Sequence, residues 1–318
     1  MTDTVSIKGI GTAAKTCYSL VKGVGPLLIS QFDYTKFKWL DYQQKQAQLA
    51  GYTEFLLAET RSLVELKSEQ MRDSLAKTGL DRIRAEENIK LLTKEINKLL
   101  TYAKVPSQTL YLESQKSHSE EIPDNKNEEI NDTWIYRFNE LAEKLNEEWR
   151  QNLLAKAFAI EADKPGTIGL DTLFTIGMLD QKSFYLFAGI LSSSIKMYET
   201  HLLPVDQETL DIKLDINGSS YAITNILYQL EHTGLILYNT DLGINLTQGK
   251  LVKFQYQNNI LEAISPKNDH IPAIVTSRAG SALASMCTVT SNETGLKFFA
   301  SLENKLLQRN ALHKKYVV

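Results

Sequence analysis

The stretch from Asp132 to Ser192 decides the fold, and it reads DTWIYRFNELAEKLNEEWRQNLLAKAFAIEADKPGTIGLDTLFTIGMLDQKSFYLFAGILS. Apolar residues recur at intervals of three and four in its first half, which is the spacing of a helix buried along one side. They are Trp134, Phe138, Leu141, Leu145, Trp149, Leu153, Ala157 and Ile160. One long helix is therefore predicted, and it ends at Lys164-Pro165-Gly166 because proline disfavours a helical conformation in the residue before it.

Two shorter helices are predicted after this stop. The first opens at Leu170, and Leu179-Asp180-Gln181-Lys182 interrupts it. The second starts at Ser183 and is apolar nearly all round, as expected for a helix in a core. Nothing in this pattern is catalytic machinery, so the central region is interpreted as a helical scaffold.

Three motifs carry a resemblance to a known group of proteins. They are the run Leu153–Gly166, the tetrapeptide Thr233-Gly234-Leu235-Ile236 and the stretch Val275-Thr276-Ser277-Arg278-Ala279-Gly280. These motifs are similar to those of a group of bacterial proteins of unknown function that includes the abortive-infection alpha family. The resemblance covers roughly the last two thirds of the chain. It implies a role in bacterial defence against phage, and it brings no catalytic residues with it.

Composition limits the broad class of the protein. The chain has 318 residues, 43% of them apolar, with 35 basic and 38 acidic side chains and a net charge of −3. This charge gives no general attraction to nucleic acid. Two cysteines, Cys17 and Cys287, favour a reducing compartment. With no secretory signal and no long apolar run, we expect a cytoplasmic protein, with possible peripheral contact at the inner membrane.

The first thirty residues predict a binding segment. Between Ser6 and Ser30 an apolar stripe is fringed by lysines spaced by seven, and four glycines weaken the helix unless a partner orders it. A membrane surface, a second subunit or the protein's own core could supply that partner. The candidate membrane- or partner-binding residues are Ile7, Lys8, Ile10, Lys15, Tyr18, Val21, Lys22 and Val24.

The chain is predicted to be mostly α-helical, with a small α+β module at its C-terminal end. Residues 1–104 are assigned to the amphipathic segment and a helical hairpin or coiled coil, with a break near Thr78-Gly79. Residues 105–130 are polar and rich in charge, so they are interpreted as a flexible linker. Residues 131–318 hold the central helices and a winged-helix-like C-terminal domain.

The winged-helix interpretation comes from the order of elements after residue 209. The pattern predicts a strand over 210–216 and then a helix over 219–233. Three strands follow, over 235–238, 250–256 and 273–275. The next helix begins at Thr276 or Ser277, and the tail over 293–312 is one more helix. The basic residues of this module that could contact DNA are Lys250, Lys253 and Arg278. Since the helix over 219–233 has no lysine or arginine, nucleic acid is a less favoured partner.

The sequence contains none of the usual catalytic and metal-binding motifs. The five histidines are scattered singly, so no metal, cofactor or catalytic residue is assigned. We therefore expect a non-enzymatic phage-defence protein that binds a protein partner or engages a membrane, most simply as a homo-oligomer. The alternative is a winged-helix DNA-binding regulator.

Overall fold

The computed structural model describes residues 42–115, 130–204, 212–237 and 243–317. The chain divides into two compact units, Met1–Gly177 and Met178–Val318. The described residues form nine helices, which are distributed over both units, and the second unit also contains an antiparallel sheet. The predicted mostly α-helical class with a C-terminal α+β part is confirmed at this level. The candidate binding residues between Ile7 and Val24 lie outside the described ranges.

A helical hairpin opens the first unit. Helix α1, Tyr42–Leu75, packs against helix α2, Gly79–Gln115, and the break between them falls where the sequence predicts it. Gly79 has a φ of +60°, a value that glycine adopts without the steric cost of a side chain. Helix α2 continues through Pro106 to Gln115, so the first part of the predicted 105–130 linker is helical, and Val105 is completely buried.

The central stretch forms three helices. These are α3, Asp132–Lys144, α4, Glu148–Asp163, and α5, Leu170–Met178. The single long helix that we predicted over 132–163 is therefore divided at Leu145, whose carbonyl oxygen accepts a hydrogen bond from the Gln151 side chain, 3.2 Å away. The expected end at Lys164-Pro165-Gly166 is confirmed, with Gly166 at a φ of +83°.

An aromatic cluster forms the core of the first unit. Trp134 and Phe138 of α3 stack with ring centroids 5.5 Å apart, and Phe158 of α4 meets Phe138 edge-on at 4.8 Å. Tyr102 of α2 joins them, 5.5 Å from Phe138. Trp149, which the sequence places on the buried stripe, is only half-buried. Leu153 and Ala157, which follow Trp149 on the same stripe of α4, are buried, so the difference is confined to the first turn of the helix.

The second unit begins with helix α6, Gln181–Ser193, capped by the Asp180 carboxylate. Its other helices are α7, Ile223–His232, α8, Arg278–Ala284, and α9, Glu293–Gln308. Its strands are β1, Ile195–Met197, β2, Thr200–Pro204, β3, Lys213–Ile216, β4, Ser219–Ala222, β5, Ile236–Leu237, β6, Gly243–Leu246, β7, Leu251–Tyr256, β8, Asn259–Ile264, β9, Asp269–Thr276, and β10, Leu312–Val317.

The main sheet has the strand order β10-β8-β7-β1-β2-β9-β5, and β6 pairs separately with β9. Every pairing is antiparallel, and β3 and β4 form a hairpin of their own. Helix α9 covers one face of the sheet, where Tyr256 donates its hydroxyl to the Ser192 carbonyl at 2.9 Å and accepts from the Asn292 amide at 3.0 Å. The sequence did not predict β1, β2, β4, β6, β8 or β10, and the tail expected to be helical over 293–312 ends in a strand.

Candidate interaction surfaces

The outer half of the helical hairpin exposes many apolar side chains. Near residue 100 the two helices bury one another, and Leu56 and Leu99 are almost fully enclosed. Towards the turn between the two helices the apolar side chains are more exposed, and Leu75 and Leu80 are 82% and 72% exposed. The exposed large apolar residues of this part are Val64, Leu66, Met71, Leu75, Leu80, Ile83 and Leu91. We call residues 61–91 the distal hairpin.

The apolar residues of α1 in the distal hairpin follow a helical repeat. The half-buried Leu57 and the exposed Val64 and Met71 are spaced by seven residues, and Leu75 follows one turn later. Residues at this spacing lie on one stripe of a helix, beside the seam that already contacts α2. The sequence predicted a helical hairpin or coiled coil here but did not indicate that an apolar stripe of α1 is left uncovered.

Charge in the distal hairpin is balanced. Seven basic and six acidic side chains lie between Arg61 and Leu91, and pairs such as Arg82 and Glu86, at 3.0 Å, are solvent-exposed. Exposed pairs of this kind add little stability, so they act mainly to keep the surface compatible with water. The distal hairpin is therefore apolar along a stripe and nearly neutral overall, which suits contact with another mixed-charge helix.

The residues proposed for DNA contact do not form one cluster. Lys250 precedes β7 and Lys253 lies in it, whereas Arg278 opens α8 after β9, and strands β1 and β2 separate β7 from β9. All three side chains are exposed. Lys253 is already paired with Glu262 at 2.9 Å, and that hydrogen bond raises the pKa of the lysine.

The face of the sheet opposite α9 is open along four strands. The register aligns Tyr316, Ile260, Gln255 and Lys196 in one row across β10, β8, β7 and β1. The adjacent row contains Lys314, Glu262 and Lys253, all on the same side of the sheet. We call these two rows, together with Tyr198 and Leu251, the open sheet face.

Hydrogen bonds hold the centre of the open sheet face. The Glu262 carboxylate accepts from the Lys253 ammonium at 2.9 Å and from the Tyr316 hydroxyl at 3.0 Å. The lysine bond, followed by the tyrosine bond, lowers the pKa of Glu262. Tyr198, 65% exposed, reaches over β7 and donates its hydroxyl to the Leu251 carbonyl at 3.4 Å. The sequence does not predict this face, because the face depends on the pairing of β8 with β10.

A buried polar cluster lies at the other side of β1. The Ser194 hydroxyl oxygen is 2.8 Å from His201 Nδ1 and also 2.8 Å from the Leu191 carbonyl, to which it donates. A hydroxyl has one proton, so in this arrangement the histidine Nδ1–H donates to the serine. Burial, reinforced by the charge of Lys196, lowers the pKa of His201 to about 4. The pair therefore joins α6 to β2 and has no free serine proton for nucleophilic chemistry.

Glu161 organises the turn that ends α4. Its carboxylate accepts hydrogen bonds from the backbone amides of Gly166 and Ile168, each at 2.7 Å. Burial raises the pKa of Glu161, and these amide bonds partly oppose that effect. All the oxygens of this carboxylate are committed to the chain itself, which assigns Glu161 to folding.

Among the residues that the structure describes, no group of three His, Cys, Asp or Glu side chains could hold a metal ion. Across the same ranges no helix has the length and apolar content needed to cross a bilayer. A family model described as Protein of unknown function (DUF2806) matches residues 112–302. No curated protein and no solved structure matches the chain.

Proposed function

The chain belongs to the DUF2806 family of proteins of unknown function, and we propose that it acts without catalysis, by binding a protein partner through its distal hairpin. The observation that carries this proposal is the set of exposed apolar side chains at residues 61–91, of which Val64, Met71 and Leu75 share one stripe of α1. Large apolar patches that remain exposed on a folded protein commonly mark interaction sites. The distal hairpin precedes the residues matched by the family model, so this binding function belongs to the part of the chain that is outside the family domain.

The partner that fits best is a second copy of the same chain. A stripe repeating every seven residues packs well against another helix of the same pattern. The near balance of charge between Arg61 and Leu91 avoids the repulsion that two like-charged hairpins would suffer. A pair of distal hairpins would form a four-helix bundle and cover Val64 and Met71. We therefore propose that the coiled coil expected for the N-terminal part of the chain forms between the distal hairpins of two copies.

Sedimentation velocity of the purified chain tests this function. We expect a dimer that becomes a monomer when Val64→Lys and Met71→Lys place two charges in the stripe. The matched control is Ala58→Lys with Ser62→Lys, two exposed positions on the opposite side of α1. The control adds the same charge and should leave the dimer intact. A monomeric native chain, or equal masses for the two double variants, would show that this surface does not join two copies.

The defence role is proposed on the resemblance of the central motif to the abortive-infection alpha family. A plating assay supplies its test, with cells that carry the native chain compared with cells that carry the Val64→Lys, Met71→Lys variant. Protection by the native chain and its loss in the variant would link defence to the distal hairpin. Equal plaque counts with and without the native chain would remove the defence role and leave the dimer unaffected.

The N-terminal segment is proposed to engage a membrane or a partner through Ile7, Ile10 and the neighbouring lysines. An apolar stripe fringed by lysines suits the surface of an anionic bilayer. Sedimentation with anionic vesicles, with and without residues 1–30, separates the possibilities. Equal sedimentation of both forms would exclude a membrane role for this segment.

The winged-helix regulator remains the second proposal. Its support is the succession of α7, a short β-strand and the β7 hairpin, with exposed basic side chains at Lys250 and Arg278. An electrophoretic shift with duplex DNA at 50 and 200 mM salt tests it, because phosphate contacts weaken steeply with salt. No shift at the lower salt concentration would eliminate the proposal.

A further inference from the structure

The open sheet face carries more positively charged side chains than negatively charged ones. Its three lysines, Lys196, Lys253 and Lys314, share the face with a single carboxylate, Glu262. Lys253 and Glu262 pair with one another. No carboxylate in the described part of the chain lies within salt-bridge distance of Lys196 or Lys314, which stand at opposite margins of the four strands. Lys196 and Lys314 are three strand spacings apart across the sheet, about 14 Å, and one row apart along the strands, about 7 Å, so their Cα atoms are about 16 Å from each other. Both positive charges are therefore available to an anionic ligand.

Aromatic side chains accompany these charges. Tyr198 and Tyr316 also lie at opposite margins of the face, and the Tyr198 ring is largely exposed. The Lys314 ammonium rests 4.8 Å from the centroid of the Tyr316 ring. Between the margins lie the exposed Leu251 and Gln255 and the half-buried Ile260. Planar bases stack on exposed rings of this kind, while ammonium groups contact the phosphates.

We infer that the open sheet face binds single-stranded nucleic acid, with Lys196 and Lys314 on phosphates and Tyr198 stacked against a base. A single strand fits better than a duplex, because a duplex hides the base faces and is read by elements that enter its grooves. The open sheet face has no such element. This binding site is in the second unit and does not depend on the proposed role of the distal hairpin.

Fluorescence anisotropy with the full chain tests the inference. The probes are a labelled fifteen-residue oligouridine, an oligothymidine of the same length and a duplex DNA, each titrated at several salt concentrations. We expect both single strands to bind more tightly than the duplex. The variant Lys196→Gln, Lys314→Gln removes two phosphate contacts, and the slope of log affinity against log salt should fall by about 1.4. It leaves the Lys253–Glu262 pair in place.

The charge-matched control is Lys213→Gln with Lys297→Gln. Both lysines are exposed, the first in the β3–β4 hairpin and the second in α9 on the covered side of the sheet. This control should bind as the native chain does. Tyr198→Asn removes the ring, and asparagine tolerates the left-handed backbone at this position, where φ is +55°. Its affinity should be about five- to 150-fold weaker, with the salt slope unchanged.

Several results would overturn the inference. They are no binding of either single strand by the native chain, equal or tighter binding of the duplex, and equal losses in the two lysine double variants. Vesicles of anionic phospholipid provide a further comparison. If they displace the oligouridine and bind more tightly through the same two lysines, the face is a lipid-headgroup surface instead. Far-UV circular dichroism of each variant must match the native spectrum before its affinity is interpreted.

Discussion

Ser277 donates its hydroxyl to the carbonyl oxygen of Gly234 over 2.6 Å, which joins two turns that lie 43 residues apart. The Ser277 hydroxyl oxygen also accepts a hydrogen bond from the Gly280 amide at 2.9 Å and so caps helix α8. Ser277 also donates its backbone amide to the Leu235 carbonyl at 3.0 Å. The stretches 233–236 and 275–280 therefore form a single packing unit, in which β9, α8 and the end of α7 meet.

Gly280 should not tolerate a side chain, because a Cβ at this position would lie 1.9 Å from the Leu235 carbonyl oxygen. We expect Gly280→Ala to destabilise the second unit by about 1–3 kcal/mol, as overpacking generally does. Gly51→Ala in α1 is the control, since nothing lies within 4 Å of its added Cβ and alanine favours a helix. Urea unfolding followed by circular dichroism measures both. Equal stability of Gly280→Ala and the native chain would contradict the tight packing.

The two described tryptophans should respond differently to truncation. Trp134 is 3% exposed and donates its indole N–H to the Ile168 carbonyl at 2.8 Å. Trp134→Ala should therefore destabilise the first unit by about 3–5 kcal/mol. Trp149 is half-buried beside Arg150, 5.2 Å from its ring, and Trp149→Ala should have a smaller effect. Urea midpoints give the comparison, and a larger loss at Trp149 would reverse our assignment of the core.

His201 should make the second unit sensitive to acid. Its pKa is about 4 in the folded chain against an ordinary value of 6.5, so the unfolded chain binds the proton more readily between these values. Stability is then fully present above pH 6.5 and falls as the pH drops towards 4, by roughly 3 kcal/mol in total. The variant His201→Gln should lose this part of the pH dependence.

His313→Gln is the matched control for that experiment, because His313 is exposed on β10. Chemical unfolding at pH 7, 5.5 and 4.5, followed by circular dichroism, gives the free energies of unfolding. We expect the control to follow the native curve. Parallel curves for His201→Gln and the native chain would mean that His201 does not titrate with unfolding.

Local signals in the sequence predicted the ends of elements well. Pro165-Gly166, Thr78-Gly79 and Gly234 each require a backbone conformation that ends a helix, and each does so in the structure. The sequence has no glycine or proline at Leu145 that would predict the division between α3 and α4. The Leu145 carbonyl instead accepts a local hydrogen bond from the Gln151 side chain, six residues further along the chain.

The strands at the margin of the sheet were harder to predict. The β10 sequence, Leu312–Val317, places two lysines in its centre and lacks apolar alternation, because an edge strand needs charge to avoid pairing with other chains. Its partner β8 follows β7 through the Gln257-Asn258 turn, where Gln257 has a φ of +55°. This turn was the one feature of the sequence that could have predicted the hairpin of β7 and β8. The open sheet face could not be predicted without both strands and their register.

Hydrogen–deuterium exchange of the native chain at two concentrations tests the central claim most directly, since it shows whether the distal hairpin becomes covered when two copies can associate. Amides of a helix exchange through local opening, and a second hairpin packed on the Val64 and Met71 stripe would suppress that opening. The account predicts that residues 61–91 exchange more slowly in the concentrated sample, while α4 and β7 exchange equally in both. Equal exchange of the distal hairpin at concentrations that differ a hundredfold, or protection confined to another segment, would contradict it.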